Sequence, residues 1–368
     1  MIDQETAAKR ITIGDRRFTI QGLGHNDPYF RSLDDGFEPD FEALARTFVH
    51  ADYVCIDIGA NIGIKSILLS QIANQGRVIA VEPGPNVARL LEVNIAESGT
   101  SNVSVVRAAV SDSVGVLHFA GESAYGHIAA SGVEVAATTL ADIVTSNNLK
   151  RLDFVKIDVE GFEFPILKSS LKIFNEHRSL VLFEFNPWCQ MVMGRVNPAD
   201  LIEWVGANFS HLYIVHKTPD KSFVLEHVEN ANCLKILEDV LRNGWLVIDL
   251  LVTNAEERLS QVITGQSAVQ PPEGVHDERN ASKQRIAASM RASMSWRLTT
   301  PLRGFASRHP RFVRGVMGFI ERQPWLGRNA SLLARNIWRV ATLRPVIRRT
   351  PVVAAAADRS SCVRPTQP

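Results

Sequence analysis

The chain has 368 residues, of which 45% are hydrophobic, and its 40 Lys and Arg residues against 39 Asp and Glu residues give a formal net charge of +1. That hydrophobic fraction is ordinary for a globular core. The sequence contains no Gly-x-Ser-x-Gly, no His-Glu-x-x-His and no zinc-spaced cysteine set, so hydrolase and zinc-enzyme classes lack support.

The cysteines and the apolar runs bear on the cellular compartment. The four cysteines are widely spaced, and Cys55 lies inside an apolar run, so we predict a free buried thiol and a reducing, cytoplasmic environment. The first 15 residues are polar, which argues against an N-terminal signal. No apolar run reaches 18 residues, so we expect no membrane-spanning helix.

Residues 1–50 are predicted to form a hairpin and an entry segment. Apolar and polar residues alternate over residues 10–20 around Gly14, which is typical of two antiparallel strands joined by a tight turn. We expect this hairpin to be added to the main sheet.

The most informative stretch is Asp-Ile-Gly-Ala-Asn-Ile-Gly at residues 57–63. It follows a strand-like run and opens a helix-like run, so its glycines allow a close approach of the backbone to a ligand beside a helix N-terminus. The next strand-like run ends at Glu82, 19 residues after Gly63. An acid at this spacing is where a ribose diol is held, so we predict a nucleoside-containing cofactor.

The sign of the charge at the turn indicates which cofactor. A dinucleotide site needs Gly-x-Gly-x-x-Gly for a pyrophosphate, whereas the Asp57 carboxylate would repel one and suits an ammonium or sulfonium. The pattern therefore favours S-adenosylmethionine (SAM) over a dinucleotide, or over a purely structural turn. We expect Gly59, Asn61 and Gly63 to cradle the methionine part. Asp57 would meet the amino group, directly or through water, and Glu82 would accept the ribose hydroxyls.

The rest of residues 51–258 alternates between strand-like and helix-like runs. Such alternation predicts an α/β domain with a mostly parallel sheet and helices on both faces. A second hairpin is predicted from residues 114–119 and 132–137, with His127 in its loop facing the site. Ala109 and Asp112, at the end of the third strand, are expected to line the adenine. The strand-like runs begin near residues 53, 77, 103, 153, 179, 211 and 246, and the helix-like stretches cover residues 64–73, 87–98, 140–146, 198–207 and 232–243.

Three carboxylates are candidates for the acceptor side. Asp158 and Glu160 follow an apolar strand and would share one of its faces, so they could bind Mg²⁺ together, or one could act as general base. Alternatively, Asp158 orients the cofactor and Glu160 caps the next helix, whose first turn holds Glu163. Glu184 ends another apolar strand at the same crevice. His127 is the best-placed histidine for base catalysis.

Several blocks of the sequence resemble, in order, those of FkbM-type methyltransferases. The resemblance covers about residues 10–255 and implies a Rossmann-like, seven-stranded SAM-methyltransferase sheet over residues 51–258. His-Ala-Asp at residues 50–52 departs from the Pro-Gly of many members. The blocks are residues 57–63 above, Val-Glu-Pro at 81–83, Ala-Val-Ser-Asp at 109–112, Thr-Thr-Leu at 138–140 and Asp-Phe-Val-Lys-Ile-Asp-Val-Glu-Gly-Phe-Glu at 153–163, with an acidic entry motif at 36–40.

The C-terminal region differs in charge from the rest. Residues 283–349 hold fifteen Lys and Arg residues and one acid, a net charge of +14, whereas residues 1–282 carry −14. We predict a linker over residues 259–282, a basic, partly helical, amphipathic tail over 283–350 and a disordered end over 351–368. Arginines interspersed with Trp and Phe suit an anionic membrane surface. Nucleic acid would suit the charge alone, but bulky aliphatic residues favour lipid.

The tail also allows docking onto another enzyme or onto the acidic domain, or a merely solvated extension. Residues 294–303 resemble a short element that ends some bacterial cell-surface polysaccharide glycosyltransferases. Together the resemblances imply a SAM-dependent O-methyltransferase at the inner face of the plasma membrane, acting on a sugar hydroxyl of a surface glycan or its precursor. The alternatives are a polyketide-type small-molecule O-methyltransferase and a non-catalytic SAM-binding partner of a glycosyltransferase.

Overall fold

The computed structural model describes residues 6–33, 38–121, 123–243 and 247–259. Its strands are β1 (Ala7–Ile13), β2 (Arg16–Gly22), β3 (Val54–Ile58), β4 (Arg77–Val81), β5 (Val103–Val106), β6 (Ala109–Val110), β7 (Gly115–Ala120), β8 (His127–Ala129), β9 (Val133–Thr138), β10 (Phe154–Ile157), β11 (Leu180–Phe185), β12 (His211–Lys217), β13 (Phe223–His227) and β14 (Ile248–Thr253). Its helices are α1 (Pro28–Ser32), α2 (Pro39–Phe48), α3 (Ile64–Ile72), α4 (Pro85–Ser98), α5 (Leu140–Ser146), α6 (Glu163–His177), α7 (Pro187–Val192), α8 (Pro198–Asn208) and α9 (Lys235–Asn243).

The central sheet is mixed and has the strand order β13-β12-β14-β11-β10-β3-β4-β5. The five strands from β11 to β5 are parallel to one another, and β14 runs antiparallel to β11 and to β12. The predicted α/β fold is therefore confirmed. The predicted count of seven strands in the sheet is one too few, because β13 pairs with β12 at the edge. This five-residue strand ends in Glu226 and His227 and so lacks the apolar run by which the other strands are predicted.

Helices cover both faces of the sheet, as the alternation predicts. Successive side chains of a strand point to opposite faces, and the buried Cys55 and Ile56 of β3 accordingly belong to two different apolar clusters. One cluster contains residues of α2, α3 and α4, and the other contains residues of α5, α6, α8 and α9. α6 is the longest helix in the described part of the chain. The sequence analysis does not predict this helix beyond the statement that Glu163 is an acid in its first turn. Pro165 is tolerated in the first turn of α6 because a backbone N–H at this point would have no intrahelical carbonyl to bind.

The N-terminal hairpin forms, but it does not join the main sheet. β1 and β2 pair in antiparallel register from Ala7↔Gly22 to Ile13↔Arg16 and make a separate two-stranded sheet. β2 is held instead by α4, where the buried Asn94 side chain exchanges two hydrogen bonds with the Gln21 backbone, at 2.7 and 3.0 Å. The expectation that the hairpin extends the main sheet is therefore wrong, because its polar contacts go to a helix.

The second predicted hairpin is present as β7 and β9 in antiparallel register. β8 and β6 complete a small four-stranded sheet of order β6-β9-β7-β8. None of the helices within the described ranges has the length and apolarity needed to span a membrane. The predicted basic tail and C-terminal end, and the linker after residue 259, lie outside the described residues.

Candidate active site

A cleft opens where the carboxyl ends of the parallel strands meet, which is where open α/β sheets bind ligands. It contains about 1060 Å³ of empty space, a figure that includes the open solvent at its mouth. Most of the predicted site residues line it, although they come from distant parts of the sequence. These are Gly59, Asn61, Glu82, Ala109, His127, Asp158, Glu160 and Glu184.

The glycine turn lies against the loop that follows β10. Gly59 has φ of +81°, and a Cβ at this position would lie 1.8 Å from the carbonyl oxygen of Asp158. Only glycine fits here, as expected for a backbone that approaches both a neighbouring loop and a ligand. Gly63 has a different function, because it precedes α3 at φ +96° and packs against Leu91 without lining the cleft.

Two buried oxygen atoms beside the turn have no hydrogen-bond donor within the described residues. One is Oδ1 of Asp57, whose Oδ2 accepts a 2.6 Å bond from Ser66 Oγ, and the other is Oδ1 of Asn61. Buried acceptors are normally paired, so unpaired ones indicate a missing donor. An ammonium group supplies such donors. Asp57 is fully buried behind the cleft wall, so among these two only Asn61 lines the cleft.

Glu82 is held in place for the ribose contact that the sequence predicts. Its carboxylate accepts hydrogen bonds from the backbone N–H groups of Asn61 at 3.0 Å and Gly84 at 2.8 Å. Burial raises the pKa of Glu82 to about 7. A carboxylate has about four acceptor sites, so two hydroxyl donors can still be accommodated.

The part of the cleft that is predicted to contact the adenine is apolar. Ala108, Ala109 and Val110 line it together with the buried ring of Phe119 from β7. The sequence analysis did not find Phe119, although its place on the inward face of the second hairpin could have indicated it. Asp112 is exposed, accepts hydrogen bonds from two neighbouring serines and does not line the cleft, contrary to expectation.

Asp158 is paired with two lysines. Its Oδ2 lies 2.7 Å from Lys156 Nζ and 3.4 Å from Lys65 Nζ, and Lys65 also contacts Glu38 at 2.9 Å. Burial alone would raise the pKa of Asp158, but the two ammonium groups outweigh burial and hold the pKa well below its usual range. Asp158 therefore stays ionised and is a poor general base at neutral pH.

The predicted Mg²⁺ site at Asp158 and Glu160 is not supported. Within the described residues no three His, Cys, Asp or Glu side chains are grouped to hold a metal, and the two lysines already neutralise Asp158. The argument for a shared strand face is also wrong, because β10 ends at Ile157 and Glu160 has φ of +52°. Asp158 and Glu160 both reach the cleft from a loop instead.

Glu160, Glu163 and Glu184 have environments unlike that of Asp158. Burial and the Asp158 charge raise the pKa of Glu160 to about 7, and Cys189 Sγ donates to its Oε2 at 3.1 Å. Glu163 begins α6 and accepts from the backbone N–H groups of the preceding loop, which fits the predicted first-turn acid.

Glu184 lies near the end of β11, and its carboxyl group makes no hydrogen bond within the described part of the chain. Burial and the charges of Asp158 and Glu160 raise its pKa well above the usual range. His127 lines the rim of the cleft, with Nδ1 3.1 Å from the carbonyl oxygen of Tyr125. The sequence analysis missed Tyr29 and Lys65, which also line the cleft, because they come from helices outside the motif blocks.

Backbone strain is concentrated around this cleft. Eight non-glycine residues in the described ranges have positive φ, and half of them line the cleft. Non-glycine residues in this conformation cost about 1–3 kcal/mol each and cluster at ligand sites. The four are Glu38, Asn61, Ser123 and Glu160, with φ of 45°, 51°, 60° and 52°.

The buried glutamates predict that the ligand-free protein loses stability as the pH rises. Glu82 and Glu163 are only 6% and 2% exposed, and burial raises the pKa of each to about 7 from an ordinary 4.5. The folded state then binds more protons than the unfolded state between these values, so the free energy of unfolding falls between pH 5 and pH 8. We expect a fall of up to about 3 kcal/mol per group, measured by urea denaturation.

Glu163→Gln provides the control for this prediction. This substitution removes one titrating group that does not line the cleft. The fall in the free energy of unfolding between pH 5 and pH 8 should therefore become smaller. A free energy of unfolding that stays constant or rises over this range would contradict the assignment.

The fold and the cleft define an α/β protein of the Rossmann-like class with a ligand site at the carboxyl ends of its strands. Residues 57–212 match the sequence model of the methyltransferase FkbM domain. The predicted family is thereby confirmed, and these residues form an FkbM-type methyltransferase domain. The hexuronic acid methyltransferase AglP of Haloferax volcanii is 30% identical over 161 residues, which are 41% of this chain. The chain spans 63% of the length of that protein.

Solved structures of methyltransferases show more distant similarity. An O-methyltransferase from Bacillus cereus in complex with SAH gives a TM-score of 0.35 at 14% identity, covering 60% of this chain and 82% of that one. The O-methyltransferase TomG from Streptomyces achromogenes, in complex with SAM, gives 0.36 at 13%, covering 60% and 81%. Because these TM-scores are low, the assignment depends on the strand order and the family match.

Proposed function

We propose that this protein is a SAM-dependent O-methyltransferase that methylates a sugar hydroxyl of a glycan or glycan precursor. The observation that carries the proposal is the cleft, which joins a cofactor end at Gly59 and Glu82 to an acceptor end at Glu160 and Glu184. The FkbM-type domain supports methyl transfer. A sugar as the methyl acceptor is supported by the name of the Haloferax volcanii relative, a hexuronic acid methyltransferase.

The residues at the cofactor end fit SAM, which when bound supplies a methyl group already activated on a sulfonium. Gly59 allows the backbone to approach the ligand, and the unpaired Oδ1 of Asn61, which lines the cleft, suits the amino group. Asp57 lies behind the cleft wall and adds a negative charge there without touching the ligand. Glu82 would accept the ribose hydroxyls, and the apolar wall with Phe119 would contact the adenine.

At the acceptor end, the environments of the carboxyl groups separate their roles. Two carboxyl groups whose pKa values are pushed apart are typical of a division between a fixed charge and a proton acceptor. Asp158, held ionised by Lys65 and Lys156, supplies the fixed charge. Burial and the Asp158 charge raise the pKa of Glu160 to about 7, so Glu160 can take up the hydroxyl proton near neutral pH. The pKa of Glu184 is also raised by burial and by neighbouring carboxylates, which makes its carboxylate a stronger base than an ordinary glutamate. His127 at the rim is a further candidate, and no metal is needed in this scheme.

The basic tail suggests a partner and a location for the protein. The basic tail, residues 283–350, would bring the domain to an anionic membrane surface or to a glycosyltransferase at the inner face of the plasma membrane. Flotation of the full chain and of residues 1–282 with anionic liposomes tests this. The acceptor range of the purified chain tests the alternatives. Transfer to a polyketide-type small molecule would indicate a small-molecule O-methyltransferase, and no transfer to any glycan would indicate a non-catalytic role beside a glycosyltransferase.

The cofactor assignment predicts micromolar-range binding of SAM and S-adenosylhomocysteine (SAH) to the full chain in calorimetry. Glu82→Gln should weaken SAM binding at least tenfold, because hydrogen bonds to a charged acceptor contribute about 1.5–3 kcal/mol. Glu134→Gln, which removes an exposed carboxylate on β9 outside the cleft, is the matched control and should bind like the unchanged chain. No SAM binding by the full chain would sink the proposal, and NAD would then be titrated.

A further inference from the structure

A second cavity adjoins the cleft, between α2 and the central sheet. It shares Glu38, Lys65 and Glu184 with the cleft, so the two spaces meet at these side chains. The proposed function gives the cleft a cofactor end and a reacting end but assigns nothing to this second space. Its remaining lining residues are Asp40, Phe41, Leu44, Lys156, Leu182, Val215, Lys217 and Asp249.

Every lysine that lines this cavity is paired with a carboxylate. Lys217 Nζ lies 2.9 Å from Asp40 Oδ2 and 3.4 Å from Asp249 Oδ2. Lys65 is paired with Glu38, and the buried Lys156 is paired with Asp158 at the edge of the cleft. Each ammonium group thus already has a carboxylate partner. The cavity has no surplus positive charge with which to fix an anionic ligand.

The same groups instead offer hydrogen-bond donors and acceptors on several sides. A hydroxyl group both donates and accepts, so a ring with several hydroxyls can pair with lysines and carboxylates at once. An aromatic or aliphatic ligand would displace water from these ion pairs without offering hydrogen bonds in its place, which is unfavourable. Phe41, Leu44, Leu182 and Val215 supply apolar surface for the C–H groups of such a ring.

Glu184 marks the point where the two spaces join. It is the register partner of Asp249 across the β11–β14 ladder, so the two carboxyl groups are neighbours on the sheet. Asp249 is paired with Lys217, whereas the carboxyl group of Glu184 has no hydrogen-bond partner within the described residues. Glu184 therefore has its full hydrogen-bonding capacity available to a ligand that spans the junction.

Resting on the proposed methyl transfer, we propose that the second cavity belongs to the acceptor subsite, that it takes one edge of an uncharged polyhydroxylated ring, and that the reacting hydroxyl lies at Glu184. In the transfer that this placement serves, the acceptor oxygen gains the methyl group, SAM leaves as SAH, and the hydroxyl proton passes to the Glu184 carboxylate. Lys217 and Asp249 then determine specificity by binding hydroxyls that do not react.

The test measures label transfer from methyl-labelled SAM with the full chain. The acceptors are methyl pyranosides and neutral disaccharides, with glucuronic acid, catechol and cyclohexanol as ring-sized comparisons. We expect transfer to at least one neutral sugar and none to catechol or cyclohexanol. Asp249→Asn and Lys217→Met should each raise the KM for that sugar about tenfold, as expected for losing one charge-assisted hydrogen bond. Glu134→Gln should not change the KM.

A binding readout keeps folding and cofactor effects apart from acceptor recognition. In saturation-transfer NMR, the SAH complex should show contact with the same neutral sugar, weakened in Asp249→Asn, while calorimetric SAM affinity stays within twofold. Transfer only to glucuronic acid, catechol or cyclohexanol, or to no panel member, would overturn this inference but leave SAM binding intact. An unchanged sugar KM in both variants would also overturn it. Absent SAM binding would overturn the proposed function as well.

Discussion

Gly59→Ala is expected to abolish measurable SAM binding and to lower the free energy of unfolding by more than 2 kcal/mol. The new Cβ would lie 1.8 Å from the Asp158 carbonyl oxygen, a distance at which one backbone segment must move. The left-handed φ of +81° adds about 1–2 kcal/mol of conformational cost for a side chain. Because movement of the Asp158 loop would also displace Glu160, both ends of the cleft would be affected. Calorimetry with SAM and urea denaturation measure the two effects.

Gly99→Ala is the matched control for this substitution. Gly99 follows α4 at φ +69°, but a Cβ there would have no heavy atom within 4 Å. An alanine at position 99 therefore has the same conformational cost without a steric clash. We expect about 1 kcal/mol of destabilisation with SAM affinity unchanged. If the two variants lose stability and SAM affinity equally, the close contact between Gly59 and the Asp158 loop does not hold the site together.

Glu160→Gly is expected to reduce methyl transfer about a hundredfold while leaving the protein as stable or more stable by about 1 kcal/mol. Glu160 has φ of +52°, which a glycine adopts without strain, and its carboxyl group is held beside Asp158 in the cleft. The proposed role of Glu160 in methyl transfer would account for a strained glutamate at this position. Steady-state label transfer and urea denaturation at pH 7 check the two parts of this prediction.

Two further variants separate strain from chemistry at this position. Glu160→Gln keeps the strained backbone and the side-chain size, so it should reduce transfer with no gain in stability. Lys221→Gly removes a side chain at φ +65° on the exposed turn before β13 and should change stability alone. Full activity in Glu160→Gly would show that this carboxyl group has no role in the reaction.

Local sequence patterns were sufficient for the framework of the fold and for the cofactor end of the cleft. Strands β3, β4, β10 and β11 appear as apolar runs because both of their faces are buried under helices. The glycine turn and Glu82 follow two adjacent parallel strands, whose carboxyl ends must meet at one edge of the sheet. Motif and strand order therefore placed Gly59, Asn61 and Glu82 together without knowledge of any side-chain contact.

The charge state of the acceptor end depends on contacts that no local pattern contains. Lys65 lies 93 residues before Asp158 in the sequence, and their side chains meet only because α3 packs beside the loop after β10. This pairing keeps Asp158 ionised and removes it from the role of base, whereas Glu184 is left without a partner in the described residues. Period-two alternation could not predict this, since Asp158 and Glu160 lie beyond the end of their strand.

The sequence by itself thus determined the α/β class, the FkbM resemblance and the position of the cleft at the carboxyl ends of the strands, because these depend on periodicity and on motifs at strand ends. Only the tertiary structure decided that the N-terminal hairpin packs on α4, that Asp112 faces solvent and that a second cavity, lined by paired lysines, adjoins the cleft. The physical reason is that burial and ion pairing are set by neighbours in space, and those neighbours come from segments far apart in the chain.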